Sequence, residues 1–245
     1  MILEPLTIVI LIILFSSTLT RSTLGFGDAL IAMPLLAMAA GMQVATPLVA
    51  LIASTIAITI LLRQWRNVDV ASAWRLVVSS LVGIPIGLIF LQEAYEGVVK
   101  GLLALLIVTF SLYNLLKPRL VALTDDRLAY VFGLLAGILG GAYNTNGPPV
   151  VVYGTLRKWP AESFRATLQG YFFPTGLMIT LSHGLAGLWT PTVLRYYATS
   201  LPVVFLAILL GSKLNRSIPQ GKFDKYIHTS LIVVGAILFV NSISS

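Results

Sequence analysis

Residues 140–149 read Gly-Gly-Ala-Tyr-Asn-Thr-Asn-Gly-Pro-Pro and interrupt a long apolar run that otherwise predicts a helix. Proline has no N–H to donate and glycine is conformationally loose, so this stretch cannot continue a helix. A second interruption, residues 20–28, reads Thr-Arg-Ser-Thr-Leu-Gly-Phe-Gly-Asp. Broken backbone persists inside a membrane only where protein or a water-filled cavity satisfies it. Two breaks in corresponding places therefore predict a ligand site, the alternative being that each is a packing kink or an ordinary loop.

Composition places the chain in a membrane. Of its 245 residues, 57% are hydrophobic and 10% are charged, whereas soluble domains carry about 25% charged residues. The fold class predicted is an all-α polytopic membrane protein with the lipid bilayer as its surroundings. The net charge of +7 is interpreted as basic cytoplasmic loops, not as a nucleic-acid surface.

Residue types argue against catalysis. The chain has no cysteine and two distant histidines, which excludes disulfides and thiol nucleophiles and gives no indication of a metal site or cofactor. It also lacks a Gly-x-Ser-x-Gly elbow and a His-Glu-x-x-His pair, so an intramembrane enzyme with catalytic residues is disfavoured. His183 is interpreted as a satisfied interfacial side chain rather than a proton relay.

Apolar runs define an internal repeat. Measured against the roughly 20 residues of a membrane span, they predict helical segments at 3–19, 29–40, 44–62, 73–91, 98–116, 128–139, 150–156, 164–185, 193–210 and 226–240. A broken element followed by three spans occurs twice. Residues 1–118 form the predicted first repeat and residues 124–245 the second, together one membrane domain.

Charge predicts how the repeats are oriented. If each broken element is a re-entrant hairpin, the halves are inverted and all but three of the 16 Lys and Arg residues share the side of loop 63–75. The three exceptions are Arg21, Lys100 and Arg195. If each broken element crosses fully, the basic residues divide almost evenly between the two sides. The positive-inside rule favours the inverted repeat, with both termini outside.

The breaks carry groups suited to an anion. The second arm of each hairpin begins near Gly27 or Gly147, where free N–H groups and the helix dipole favour negative charge. Hydroxyl and amide side chains beside these helix ends can donate hydrogen bonds, although Ser and Thr also serve in helix packing. The predicted substrate-binding residues are Arg21, Ser22, Thr23, Gly25, Gly27, Asn144, Thr145, Asn146, Gly147 and Gln169.

Three of these side chains have alternative roles. Arg21 either attracts the anion or pairs with Asp28. Asp28 either pairs with Arg21, caps its helix arm or carries a coupling proton. Gln169 either reaches the site or makes a hydrogen bond between helices.

The chain resembles the TauE/SafE sulfite exporter family, also grouped with toluene-sulfonate uptake permeases. The resemblance covers essentially the whole chain and lies in three motifs: Gly25-Phe26-Gly27, Gly140-Gly141 through Asn146-Gly147-Pro148-Pro149, and Pro202…Gly211-Ser212-Lys213-Leu214…Ile218-Pro219…Phe223. It implies transport of sulfite, sulfonates, sulfoacetate or related anions across a bacterial inner membrane.

These observations together predict a secondary transporter for a small sulfur-containing oxyanion, bound at the membrane midplane by the N-terminal ends of two broken helices. The alternative function is a passive anion channel, because channels use the same helix ends. The chain is also a candidate for homo-oligomer formation.

Overall fold

The computed structural model describes residues 4–64, 69–116, 123, 125–159, 161–214 and 220–243, and every regular element in these ranges is an α-helix. Each predicted apolar run coincides with one helix. The helices are α1 (Pro5–Leu24), α2 (Asp28–Ala40), α3 (Met42–Gln64), α4 (Val70–Glu93), α5 (Glu96–Leu116), α6 (Leu128–Tyr143), α7 (Gly147–Leu156), α8 (Ala161–Leu185), α9 (Pro191–Leu214) and α10 (Gln220–Ile243).

The helices confirm an all-α polytopic membrane protein. By length and composition, α1, α3, α4, α5 and α9 meet the requirements of a membrane span among the described residues. Helix α8 was also predicted as a span and is 25 residues long, but it is more polar than these five. Its polar side chains at positions 167, 169, 175, 180 and 183 are all buried. They therefore face protein, and this accounts for the lower hydropathy of α8.

Both breaks are shorter than predicted. Helix α1 continues through the polar residues at its end, because the hydroxyls of Thr20 and Thr23 donate to carbonyls in the preceding turn at 2.9 and 2.8 Å. Helix α6 likewise continues through its two terminal glycines to Tyr143. The first break is Gly25–Gly27 and the second is Asn144–Asn146.

Most of the predicted cytoplasmic loop residues at 63–75, 117–127 and 213–225 lie outside the described ranges or have side chains that are not described.

One compact unit contains α1, α2, the start of α3, α5, α9 and α10. In this first unit, α1 packs against α9, α5 packs against α10, and α2 contacts both α5 and α10. Helices α1 and α9 approach closely at Gly211, where an added Cβ would lie 2.8 Å from the Leu19 carbonyl oxygen and 2.6 Å from Ser22 Cβ. A larger residue at position 211 would therefore separate the two helices.

The second compact unit contains the rest of α3, α4, α6, α7 and α8. Here α4 packs along α6 and also against α8. Five glycines line the α4–α6 contact, and a Cβ at any of them would overlap backbone of the facing helix: Gly83, Gly87, Gly133, Gly137 and Gly141. Backbone-to-backbone packing therefore holds the end of α6, and with it the start of the second break.

The two units cut across the predicted repeats, since each combines helices of both halves. One contact nevertheless occurs in both units. Gly211 of α9 meets Ser22 of α1, and Gly87 of α4 meets Ala142 of α6. Gly87 and Gly211 lie 124 positions apart, and Ser22 and Ala142 lie 120 positions apart, as Gly27 and Gly147 do. The inverted repeat itself stays a prediction.

Candidate functional site

The backbone of the first break requires its two glycines. Gly25 has φ 93° and closes α1 with a 2.7 Å hydrogen bond from its N–H to the Arg21 carbonyl oxygen. Gly27 has φ 98° and precedes α2. This left-handed region is unfavourable for residues with a Cβ. Phe26 between them packs edge-on against Phe110, with ring centroids 6.3 Å apart. The Gly-Phe-Gly motif is thus a tight link between two helices.

Arg21 and Asp28 form a buried ion pair across the first break. Arg21 Nη1 lies 2.7 Å from Asp28 Oδ2, and the two residues are 4% and 8% exposed. Arg21 sits in the last turn of α1 and Asp28 is the first residue of α2. Each charge therefore lies at the helix end whose dipole it complements. Of the predicted alternatives for these two residues, the structure contains the pairing.

Ser22 and Thr23 lie in the contact between α1 and α9. The Thr23 hydroxyl is 2.8 Å from the Leu19 carbonyl oxygen and 3.5 Å from that of Gly211. A hydroxyl has one proton to donate, so Thr23 directs it to backbone. Ser22 is fully buried with its Cβ facing Gly211. This arrangement fits the helix-packing alternative for both residues, and their role in substrate binding stays a prediction.

The second break has a different backbone. Asn144 adopts the left-handed conformation at φ 57° and its N–H donates to the Gly140 carbonyl oxygen at 2.8 Å. Gly147 begins α7, and a Cβ added at this position would lie 3.5 Å from the Phe172 ring. Positive φ occurs at Asn144 and not at Gly147. Pro148 occupies the first turn of α7 as predicted.

Side chains, more than backbone, supply the hydrogen-bond donors of the second break. Residues 148 and 149 are prolines without N–H, so the first turn of α7 offers fewer backbone donors than expected. Tyr143 OH, Asn144 Nδ2 and Thr145 Oγ1 are buried and have no hydrogen-bond partner within the described residues. These residues are 3%, 5% and 1% exposed. Leaving a buried polar group unpaired costs about 1–3 kcal/mol, so three in succession indicate a site for a polar ligand.

Helix α8 flanks the second break. Asn146 Nδ2 donates to Thr175 Oγ1 at 3.1 Å, and that hydroxyl donates to the Tyr171 carbonyl oxygen at 2.7 Å. Phe172, also on α8, faces Gly147 of α7, where an added Cβ would lie 3.5 Å from its ring. Gln169, 1% exposed, lies one turn before Phe172. The structure thus assembles the predicted residues Asn144–Gly147 beside the helix that carries Gln169, all in the second unit.

Two residues near the second break were missed or misread in the sequence. Tyr143 was not a candidate, although its position next to Asn144 at a broken helix end was an available signal. His183 is fully buried, not interfacial. Its Nε2 lies 3.2 Å from the Gly141 carbonyl oxygen, whereas Nδ1 has no partner within the described residues. Nothing in the local sequence shows that α8 brings this ring to the end of α6.

Comparison with known proteins gives two matches. The family model described as sulfite exporter TauE/SafE matches residues 9–238, which include both breaks. The probable sulfite/organosulfonate exporter TauE of Cupriavidus necator is 27% identical over 183 residues, which cover 74% of this chain and 71% of the relative. No solved structure matches the chain significantly.

Proposed function

Because this chain belongs to the sulfite exporter TauE/SafE family, as its glycine and proline motifs predicted, we propose that it is a secondary transporter for a small sulfur-containing oxyanion. The substrate class is sulfite, a sulfonate or sulfoacetate. The name of the Cupriavidus necator relative, a probable sulfite/organosulfonate exporter, supports this class. The transporter works in the bacterial inner membrane, and its anion binds at the second break, Asn144–Asn146 together with Tyr143.

The observation that carries the proposal is the run of three unpartnered donors at Tyr143, Asn144 and Thr145 within the described residues. Residues 140–149 contain no charged side chain, so an anion here meets hydroxyl and amide donors at the positive end of α7. Hydrogen bonds to an ionised partner are about twice as strong as neutral ones. Neutral donors also avoid the desolvation of a buried lone cation, so the anion is released readily.

Three basic residues do not lie on the predicted cytoplasmic side, and their ion pairs support the proposed orientation. Each is paired with an acid: Arg21 with Asp28 at 2.7 Å, Lys100 with Glu96 at 3.3 Å, and Arg195 with Glu4 at 3.2 Å. Paired residues add little net positive charge on that side of the membrane. This pattern is compatible with the positive-inside rule and with termini on the periplasmic side.

The test begins with binding and flux of the full chain. Purified protein in lipid nanodiscs is titrated with sulfite, sulfate, thiosulfate, sulfoacetate and taurine, and the best ligand is then used in proteoliposomes. A carrier accumulates labelled anion by counterflow when the proteoliposomes are preloaded with the unlabelled anion. Ohmic current at high unitary rate supports instead the second candidate, a passive anion channel. If none of the five compounds binds or moves, the proposed substrate class is wrong.

Variants then locate the site. Asn144→Gly removes the amide while keeping a residue that accepts φ 57°, and Thr145→Val removes a hydroxyl at similar volume. Loss of one hydrogen bond to an ion costs about 1.5–3 kcal/mol, so each should weaken anion binding by roughly 10- to 150-fold. The control is Thr109→Val, at an exposed position of α5, which should bind like the parent. If both break variants bind normally, the second break is a packing kink.

A further inference from the structure

The His183 imidazole lies against the last turn of α6, immediately before the second break. Its Nε2 is 3.2 Å from the Gly141 carbonyl oxygen, and Tyr143, Asn144 and Thr145 follow directly in the chain. The ring is 0% exposed. Nδ1 is buried and has no partner within the described residues. His183 therefore has one unused nitrogen, and its ring contacts the backbone two residues before the first of the three unused donors.

The chemistry of the ring limits what that nitrogen can do. A backbone carbonyl oxygen only accepts hydrogen bonds, so Nε2 must carry the proton of the His183–Gly141 hydrogen bond. Nδ1 is then either a lone pair on a neutral ring or a second N–H on a cationic ring. His183 lies in the last turn of α8, where the negative end of the helix stabilises a positive charge. The two forms of the ring differ at Nδ1.

The surroundings of His183 contain few other ionisable groups. On the described side chains of the elements packed around α8, these groups are Arg75 and Glu93 of α4, Tyr130 and Tyr143 of α6, Tyr153 of α7, and Tyr171 of α8 itself. Arg75 pairs with Asp126 just before the start of α6, about 20 Å along that helix from its other end. Glu93 is exposed, one turn after Phe90, whose ring contacts Tyr143. No fixed positive charge thus lies at the end of α6 to balance an anion.

We propose that the second break binds its anion together with one proton, which is shared between His183 Nδ1 and an oxygen of the anion. This inference rests on the proposed function and names the coupling ion. A hydrogen oxyanion such as hydrogen sulfite donates its proton to the neutral ring. A fully ionised sulfonate meets a ring that has taken its proton from solution. In both cases one proton from the aqueous phase is bound with the anion and leaves with it.

The test counts protons during anion binding. The full chain in nanodiscs is titrated by calorimetry with sulfite and with methanesulfonate. The pH is alkaline, so that both anions are fully deprotonated, and two buffers of different ionisation enthalpy are compared. We expect one proton taken up per bound anion and an affinity that falls about tenfold per pH unit as pH rises. His183→Gln keeps a donor for the Gly141 carbonyl and should bind without proton uptake, whereas Glu93→Gln should behave like the parent.

The outcomes separate this inference from the proposed function. If the parent binds neither these two anions nor any compound of the earlier panel, the proposed function fails with it. If the parent binds an anion without proton uptake, or if His183→Gln still takes up a proton, the role of His183 is overturned while anion transport stands. Should His183→Gln not fold, His183→Asn serves as the second variant, and it too should bind without proton uptake.

Discussion

Removing the charges of Arg21 and Asp28, singly and together, should show whether the first break stabilises the fold or binds the anion. The variants are Arg21→Gln, Asp28→Asn and the double substitution. The two groups lie 2.7 Å apart and are 4% and 8% exposed, so removing one leaves the other as an uncompensated buried charge. That situation costs about 3–5 kcal/mol, whereas removing both charges of a buried pair is often nearly neutral. We expect each single variant to be strongly destabilised and the double variant to approach the parent.

The assay is equilibrium unfolding in mixed micelles, followed by tryptophan fluorescence, with anion binding measured on the same preparations. Strongly non-additive losses of stability in the double-mutant cycle identify a pair. Recovery of both stability and binding in the double variant excludes direct recruitment of the anion by Arg21. This expectation is refuted if Arg21→Gln folds normally but loses anion affinity, and if adding Asp28→Asn does not restore that affinity. In that case Arg21 binds the substrate and the pairing is incidental.

Four further predictions address topology, helix packing and the position of the ligand. Cysteines introduced singly at Asn67 and Gln220 should both be shielded from an impermeant thiol reagent in right-side-out vesicles, and labelling at position 220 alone would contradict the inverted repeat. Gly87→Ala should lower the thermal unfolding temperature, because overpacking costs about 1–3 kcal/mol and the added Cβ overlaps the α6 backbone. Gly147→Ala meets only an ordinary ring contact and should leave the unfolding temperature unchanged, so a loss of anion binding in this variant would place the ligand at that backbone. Thr175→Val removes the acceptor of Asn146 and should weaken anion binding less than Asn144→Gly, a ranking that titration of both variants checks.

Helix placement could be predicted from the sequence because lipid leaves few choices for an apolar segment. Backbone polar groups inside a membrane must be satisfied within the segment, so each apolar run became a helix. The ends were harder to predict. Thr20 and Thr23 look like the start of a break, yet their hydroxyls bond to carbonyls of the preceding turn. A polar residue in an apolar run marks a helix end only if its side chain lacks such a local partner.

The site could be predicted only where its residues are close in the chain. A break in the helix is predicted by the types and order of three neighbouring residues, Asn144, Thr145 and Asn146. His183 reaches Gly141 from 42 residues away, and Thr175 reaches Asn146 from 29. Their contribution depends on the packing of α8 against α6 and α7, which no local pattern specifies. Conversely, Ser22 and Thr23 have suitable chemistry for an anion but face α9.

The two breaks each join two helices but differ in charge, and this difference bears on their roles. At the first break the carboxylate of Asp28 already stands at the positive end of α2, paired with Arg21. An anion binding there would have to compete with a negative charge held at 2.7 Å from its partner. At the second break the start of α7 carries no carboxylate, and neutral donors are buried beside it. The negative charge of Asp28 at the start of α2 disfavours an anion at the first break, whereas the unused donors beside α7 favour one at the second. The first break is then a fixed connection between α1 and α2. Asp28→Asn should therefore leave the anion affinity of the folded protein unreduced even where it lowers stability.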